Sequence, residues 1–67
     1  MLSTDNQRIS EIFERLAEIA AKTSELTSNP NLSPAQKQAA CDSYFREHDQ
    51  LTTEALKIFK KITKNPR

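Results

Sequence analysis

Between Ile9 and Leu26, apolar side chains return in steps of three and four, through Ile9, Ile12, Leu16, Ile19, Thr23 and Leu26. That is a heptad seam, with Ile9, Leu16 and Thr23 at position a and Ile12, Ile19 and Leu26 at position d. The remaining positions sort with it: Arg8, Arg15 and Lys22 fall at g, and Glu11, Glu18 and Glu25 at c. A helix lying on a globular core needs only a loose apolar stripe, whereas a strict seven-residue repeat is the pattern of a helix that packs along another helix. This seam constrains the fold more than any other feature of the chain, and it predicts an all-α protein.

A second seam runs through Cys41, Tyr44, His48, Leu51, Ala55, Ile58 and Ile62, again stepping by three and four. Phe45, Thr52 and Phe59 sit at position e, one residue past the d positions or their equivalents, as Phe13 and Ala20 do on the first seam. The apolar face is therefore a/d/e, about three positions in seven, which is wider than a two-stranded coiled coil uses and suits a helix bundle. Between the seams, Pro30 disfavours helical geometry at Asn29. Ser33-Pro34-Ala35-Gln36 then supplies a capping serine, a proline at the first helical position and a glutamine that can close a capping box. Thr4 and Gln7 have the same box spacing ahead of the first seam. The expectation is one helical-hairpin domain spanning 1–67, with helix 1 over about 5–27, a loop over 28–33 and helix 2 over about 34–63. A connection this short between long helices predicts an antiparallel hairpin. At about 1.5 Å per residue helix 2 should outrun helix 1, leaving Phe59 and Ile62 in an overhang.

A chain of 67 residues buries too small a share of its surface to be comfortably stable alone. Cys41 is the only cysteine, so no disulfide can form within the chain, and association is the remaining remedy. The simplest closure is a homodimer, two hairpins forming a four-helix bundle. The expected dimer or partner interface comprises Ile9, Ile12, Phe13, Leu16, Ile19 and Leu26 on helix 1. On helix 2 it comprises Cys41, Tyr44, Phe45, His48, Leu51, Ala55, Ile58, Phe59 and Ile62. His48, half-polar at an a position, is expected to fix register at some cost in stability.

Several function classes are disfavoured. With no glycine, the chain lacks the residue that phosphate-cradling loops and nucleophile elbows depend on. The only histidine and the only cysteine lie one heptad apart, about 10.5 Å along a helix, too far to share an ion, so no metal site and no cofactor are expected. Carboxylate pairs such as Glu11 and Glu14, or Glu47 and Asp49, fall on outer faces without the apolar surroundings that tune a catalytic acid. The expectation is a non-enzyme with no small-molecule substrate. No apolar run is long enough to span a bilayer and the opening Met1-Leu2-Ser3-Thr4-Asp5 has no signal-peptide pattern, so a soluble cytoplasmic protein is expected.

Charge is uneven along the chain. Residues 1–54 carry Arg8, Arg15, Lys22, Lys37 and Arg46 with all nine acids, whereas residues 55–67 carry Lys57, Lys60, Lys61, Lys64 and Arg67 and no acid. The basic end suits a helix C-terminus, whose dipole favours cations, and is also the candidate anion-binding patch. The row Arg8, Arg15, Lys22 is interleaved with Glu11, Glu18 and Glu25 and reads as a solvated intrahelical charge ladder.

Cys41-Asp42-Ser43, followed by Asp49, Leu51, Leu56 and Phe59 at fixed distances, is similar to the second helix of the Rop (Rom) family, plasmid RNA-binding modulators of copy number. The likeness covers some 19 residues without a gap, with Cys41, Leu51 and Ile58 on the same heptad register. It implies a homodimeric antiparallel four-helix bundle that binds paired stem-loops of structured RNA. Helix 1 does not align, and the loop with Asn29-Pro30-Asn31 is longer than that family's tight turn, so no RNA-contact residue carries over. Two other expectations stand beside it: a protein-binding adaptor or chaperone that holds a partner helix, resembling the helical-hairpin chaperones of type III secretion, and a plain dimerisation module.

Overall fold

The computed structural model describes the backbone of residues 2–64 and the side chains of residues 4–64. Two helices, α1 (Leu2–Thr27) and α2 (Pro34–Lys64), account for nearly all of it, and among the described residues there is no strand. They form an antiparallel hairpin.

The register of the hairpin is set by two bidentate ion pairs. Arg8 donates to Glu54 at 2.6 and 2.8 Å, and Arg15 donates to Glu47 at 2.6 and 2.9 Å. One heptad forward on α1 thus meets one heptad back on α2, as antiparallel g-to-g pairing requires. In this register Ile12 lies opposite Ala55, Leu26 opposite Cys41 and Ile19 opposite His48. A branched side chain facing a small one lets the helix axes approach closely. The fully enclosed residues reflect it: Ile12 at 0% exposure, Cys41 at 2%, Ile19 at 3% and Ala55 at 6%.

Both ends of the connection are capped from within. Ser33 and Gln36 form the reciprocal box: the Gln36 amide donates to Ser33 Oγ at 3.2 Å and the Ser33 amide donates to Gln36 Oε1 at 2.8 Å. At the end of α1, Ser28 N–H and Oγ–H both donate to the Ser24 carbonyl, and Asn29 Oδ1 accepts from Asn31 N–H at 2.8 Å, tightening the turn around Pro30. Among the described residues none has a positive φ, so this connection needs no glycine.

Two expectations are corrected at the other end. α1 begins at Leu2, ahead of Thr4, so Thr4 and Gln7 lie inside the helix and do not cap it. The extra turn also shortens the overhang, because α1 now runs beside the last turns of α2. Lys61 Nζ reaches Asp5 Oδ2 at 3.1 Å, and Phe59 meets Phe13 with ring centroids 6.3 Å apart.

The hairpin is a plate. Its Cα extents are 53 × 15 × 12 Å and its radius of gyration is 15.6 Å, against about 11 Å for a compact domain of this length. The chain exposes 5,296 Å², whereas a folded monomer of its mass is expected to expose about 4,300 Å². Stable domains enclose a core between at least two layers. Here there is one.

Candidate functional site

The two long edges of the plate differ. Along the g edge, the Arg8–Glu54 and Arg15–Glu47 pairs bridge the helices, and each arginine also reaches an acid on its own helix, Glu11 at 3.3 Å and Glu18 at 3.1 Å. The sequence-based ladder is corrected in its main term: the shorter, bidentate partners lie on α2. The reason is geometric, since antiparallel pairing brings g against g, and the planar guanidinium matches a carboxylate fork better than a single intrahelical contact. Glu47 and Glu54 are held below the usual carboxylate range, first by the hydrogen bonds from Arg15 and Arg8 respectively. Hydrogen bonds from Glu54 and Glu47 likewise hold the two guanidinium groups protonated above their usual range.

These shifts predict an acid response. A carboxylate whose pKa is lower in the folded chain stabilises the fold fully above its ordinary value of 4.5, and that contribution is lost as pH falls through the lower folded values. The thermal midpoint should therefore drop more steeply between about pH 5 and 3 in the native chain than in a Glu47→Gln, Glu54→Gln variant. The difference is modest because the pairs are open to solvent. Parallel melting curves of the two proteins across that range would contradict it.

The e edge is open. Phe13 is 52% exposed, Phe45 51% and Phe59 40%, and Leu56 on the adjoining b position is 56% exposed. On α1 the same side carries Ala17 and Ala20, both exposed. Helical side chains lean toward their own N-terminus. In an antiparallel pair Phe13 and Phe59 therefore lean toward one another, which is why two rings more than a helical turn apart in register make contact. Beyond them the face dips into a shallow groove of about 350 Å³ lined by Leu16, Ile19, Ala20, Thr23, Phe45 and His48. Thr23 donates to the carbonyls of Ile19 and Ala20, and Thr52 to those of His48 and Asp49. Their hydroxyls are thus occupied by the backbone, and the face offers few polar groups.

The expected interface residues are distributed over this arrangement. Ile12, Ile19, Cys41 and Ala55 lie between the helices, and Ile9, Leu16, Leu26, Tyr44, Leu51, Ile58 and Ile62 are half-buried at the seam. Phe13, Phe45 and Phe59 are exposed on the e edge. His48 also stands open, its side chain 51% exposed and Nδ1 3.8 Å from Asp49, because the face over Ile19 is uncovered in a single hairpin. Lys57, Lys60 and Lys64 are exposed on α2, Lys61 is tied to Asp5, and Arg67 lies outside the described residues. Cys41 is buried while His48 is open, and among the described residues no three His, Cys, Asp or Glu side chains group as metal ligands. A second hollow, about 370 Å³, is lined by Asp49, Gln50, Thr53, Glu54 and Lys57, all from α2, and is a dimple on one helix. No helix among the described residues is long and apolar enough to cross a membrane.

Leu56 and the Glu47 and Glu54 partners had not been singled out. The glutamates were legible in principle, as acids at g one heptad apart facing arginines at g. Leu56 at b follows no seam rule.

No protein-family model, no curated protein and no solved structure matches the chain.

Proposed function

We propose that this chain is a non-enzymatic regulatory interaction protein that works as a homodimer, two hairpins stacked through their open faces into a four-helix bundle. The observation that carries it is a plate one helix thick with Phe13, Phe45, Leu56 and Phe59 left on one side. The surface in excess of a compact monomer, about 1,000 Å², is close to the roughly 800 Å² per partner that a stable interface buries. Sedimentation tests it: a mass of two chains that persists on purification is expected. A single-chain mass with full helicity at micromolar concentration would overturn the proposal. A chain that becomes soluble only when a second protein is co-expressed would favour the adaptor reading in its place.

The ligand we assign to the assembled bundle is structured RNA. What supports this is the Rop-like stretch from Cys41 to Phe59 together with Lys57, Lys60 and Lys64, which stand exposed and belong to none of the ion pairs among the described residues. Arg8 and Arg15 contribute little, since their charge is already matched by four carboxylates. If the three lysines of each copy meet phosphates, retention of a hairpin RNA should fall about a thousandfold between roughly 50 and 200 mM salt. It should vanish in a Lys57→Gln, Lys60→Gln, Lys64→Gln variant. Equal retention by that variant would remove the lysine end from the RNA interface.

A further inference from the structure

We infer that the groove over Ile19 and Ala20 is the seat of Phe13 from a second copy, docked face to face with its loop at the opposite end. The inference rests on the self-association proposed above and specifies its geometry.

The open face carries protrusions and hollows in matching places. On α1, Phe13 projects at 52% exposure, and one heptad further on the face sinks at Ala20 into the groove. On α2, Phe45 and Leu56 project at 51% and 56%. Consider a two-fold axis lying in the face and crossing the hairpin at right angles to its length. Placed between Leu16 and Ala17 on α1, it exchanges Phe13 with Ala20; placed between Gln50 and Leu51 on α2, it exchanges Phe45 with Leu56. The register set by Arg8–Glu54 and Arg15–Glu47 puts Leu16 opposite Leu51, so one line performs both exchanges. That line crosses α2 (Pro34–Lys64) close to its middle, and the two faces then overlap almost completely. Ala17 lies beside the axis, where a small side chain lets the two α1 helices approach.

Size agrees with this seating. A cavity of about 150 Å³ accepts a benzene ring, and the groove offers about 350 Å³. Charge separates the two possible two-fold arrangements. Docking with both loops at one end stacks two copies of the acid-free stretch containing Lys57, Lys60, Lys61 and Lys64, and places the Phe13–Phe59 pair against its own mate with groove facing groove. Docking with loops at opposite ends parts the basic ends and brings Asp42 toward the second copy's Lys60. Complementary charge of this kind fixes register.

The test uses the full chain with Cys41→Ala, so that introduced cysteines are unique, with circular dichroism confirming that each variant is helical. Ala17→Cys should be linked into a covalent dimer by a short bis-maleimide, whereas Asn31→Cys in the loop should not. Phe13→Ala should weaken the dimer dissociation constant at least about tenfold, as expected for an anchor in a pocket, and Ala20→Phe, which fills the seat, should also weaken it. Linking through Asn31→Cys, a failure to link through Ala17→Cys, or an unchanged dissociation constant for Phe13→Ala would overturn this docking while the sedimenting mass still reports two chains. A mass of one chain for the native protein would instead overturn the self-association beneath it.

Discussion

Replacing Ile12 with alanine should unfold most of the population at room temperature. Ile12 is at 0% exposure, one of four fully enclosed residues among those described, and it faces Ala55, which is too small to move into the space left behind. Truncating a buried isoleucine to alanine costs about 2–5 kcal/mol, most where the surroundings cannot collapse. Two long helices with little between them hold only a few kcal/mol in total. Urea titration followed by helical circular dichroism should show the loss, and Leu56→Ala, which removes a side chain 56% exposed in the hairpin, gives the comparison. A midpoint for Ile12→Ala within experimental error of the native one would mean that the seam is not where the fold draws its stability.

Placing glutamate at both Phe45 and Phe59 should abolish self-association. Each ring keeps about half its area in water, on the order of 100 Å² of a phenylalanine's 150–250 Å², so covering it contributes about 2 kcal/mol. Four such rings per assembly account for about 8 kcal/mol as an upper figure, and a carboxylate in their place adds a desolvation cost. The variant should sediment as one chain, lose helical signal on dilution no faster than by simple frayed melting, and show a thermal midpoint independent of concentration. The native protein should melt higher as its concentration rises, because binding to a second folded copy stabilises the folded state. A Phe45→Glu, Phe59→Glu protein that still sediments as two chains would place the interface elsewhere.

Much of the fold is legible because it depends on local rules. The heptad seams predict two helices, and the Ser33-Pro34-Ala35-Gln36 box marks the start of α2 through a hydrogen bond pattern that four residues determine among themselves. What eluded the sequence depends on register, which a single helix cannot know. Arg8 has carboxylates within reach on its own helix, and only the antiparallel offset decides that Glu54 supplies the shorter, two-pronged contact. Thr4 has the form of a cap, yet Asp5 is held by Lys61 across the hairpin and the helix continues upstream of both. His48 follows the seam, but its neighbour across the layer, Ile19, is covered from one side only, so the ring stays open. In each case the residue type was informative and its partner lay far away along the chain.

The closed flank has a consequence for how large any assembly can grow. Arg8, Arg15, Glu47 and Glu54 satisfy one another there and leave that side with nothing to offer a neighbour. Objects adhesive on two opposite sides stack without limit, whereas an object finished on one side is used up once its other side is matched. Such a molecule can pair, but it has no means of propagating into a fibre.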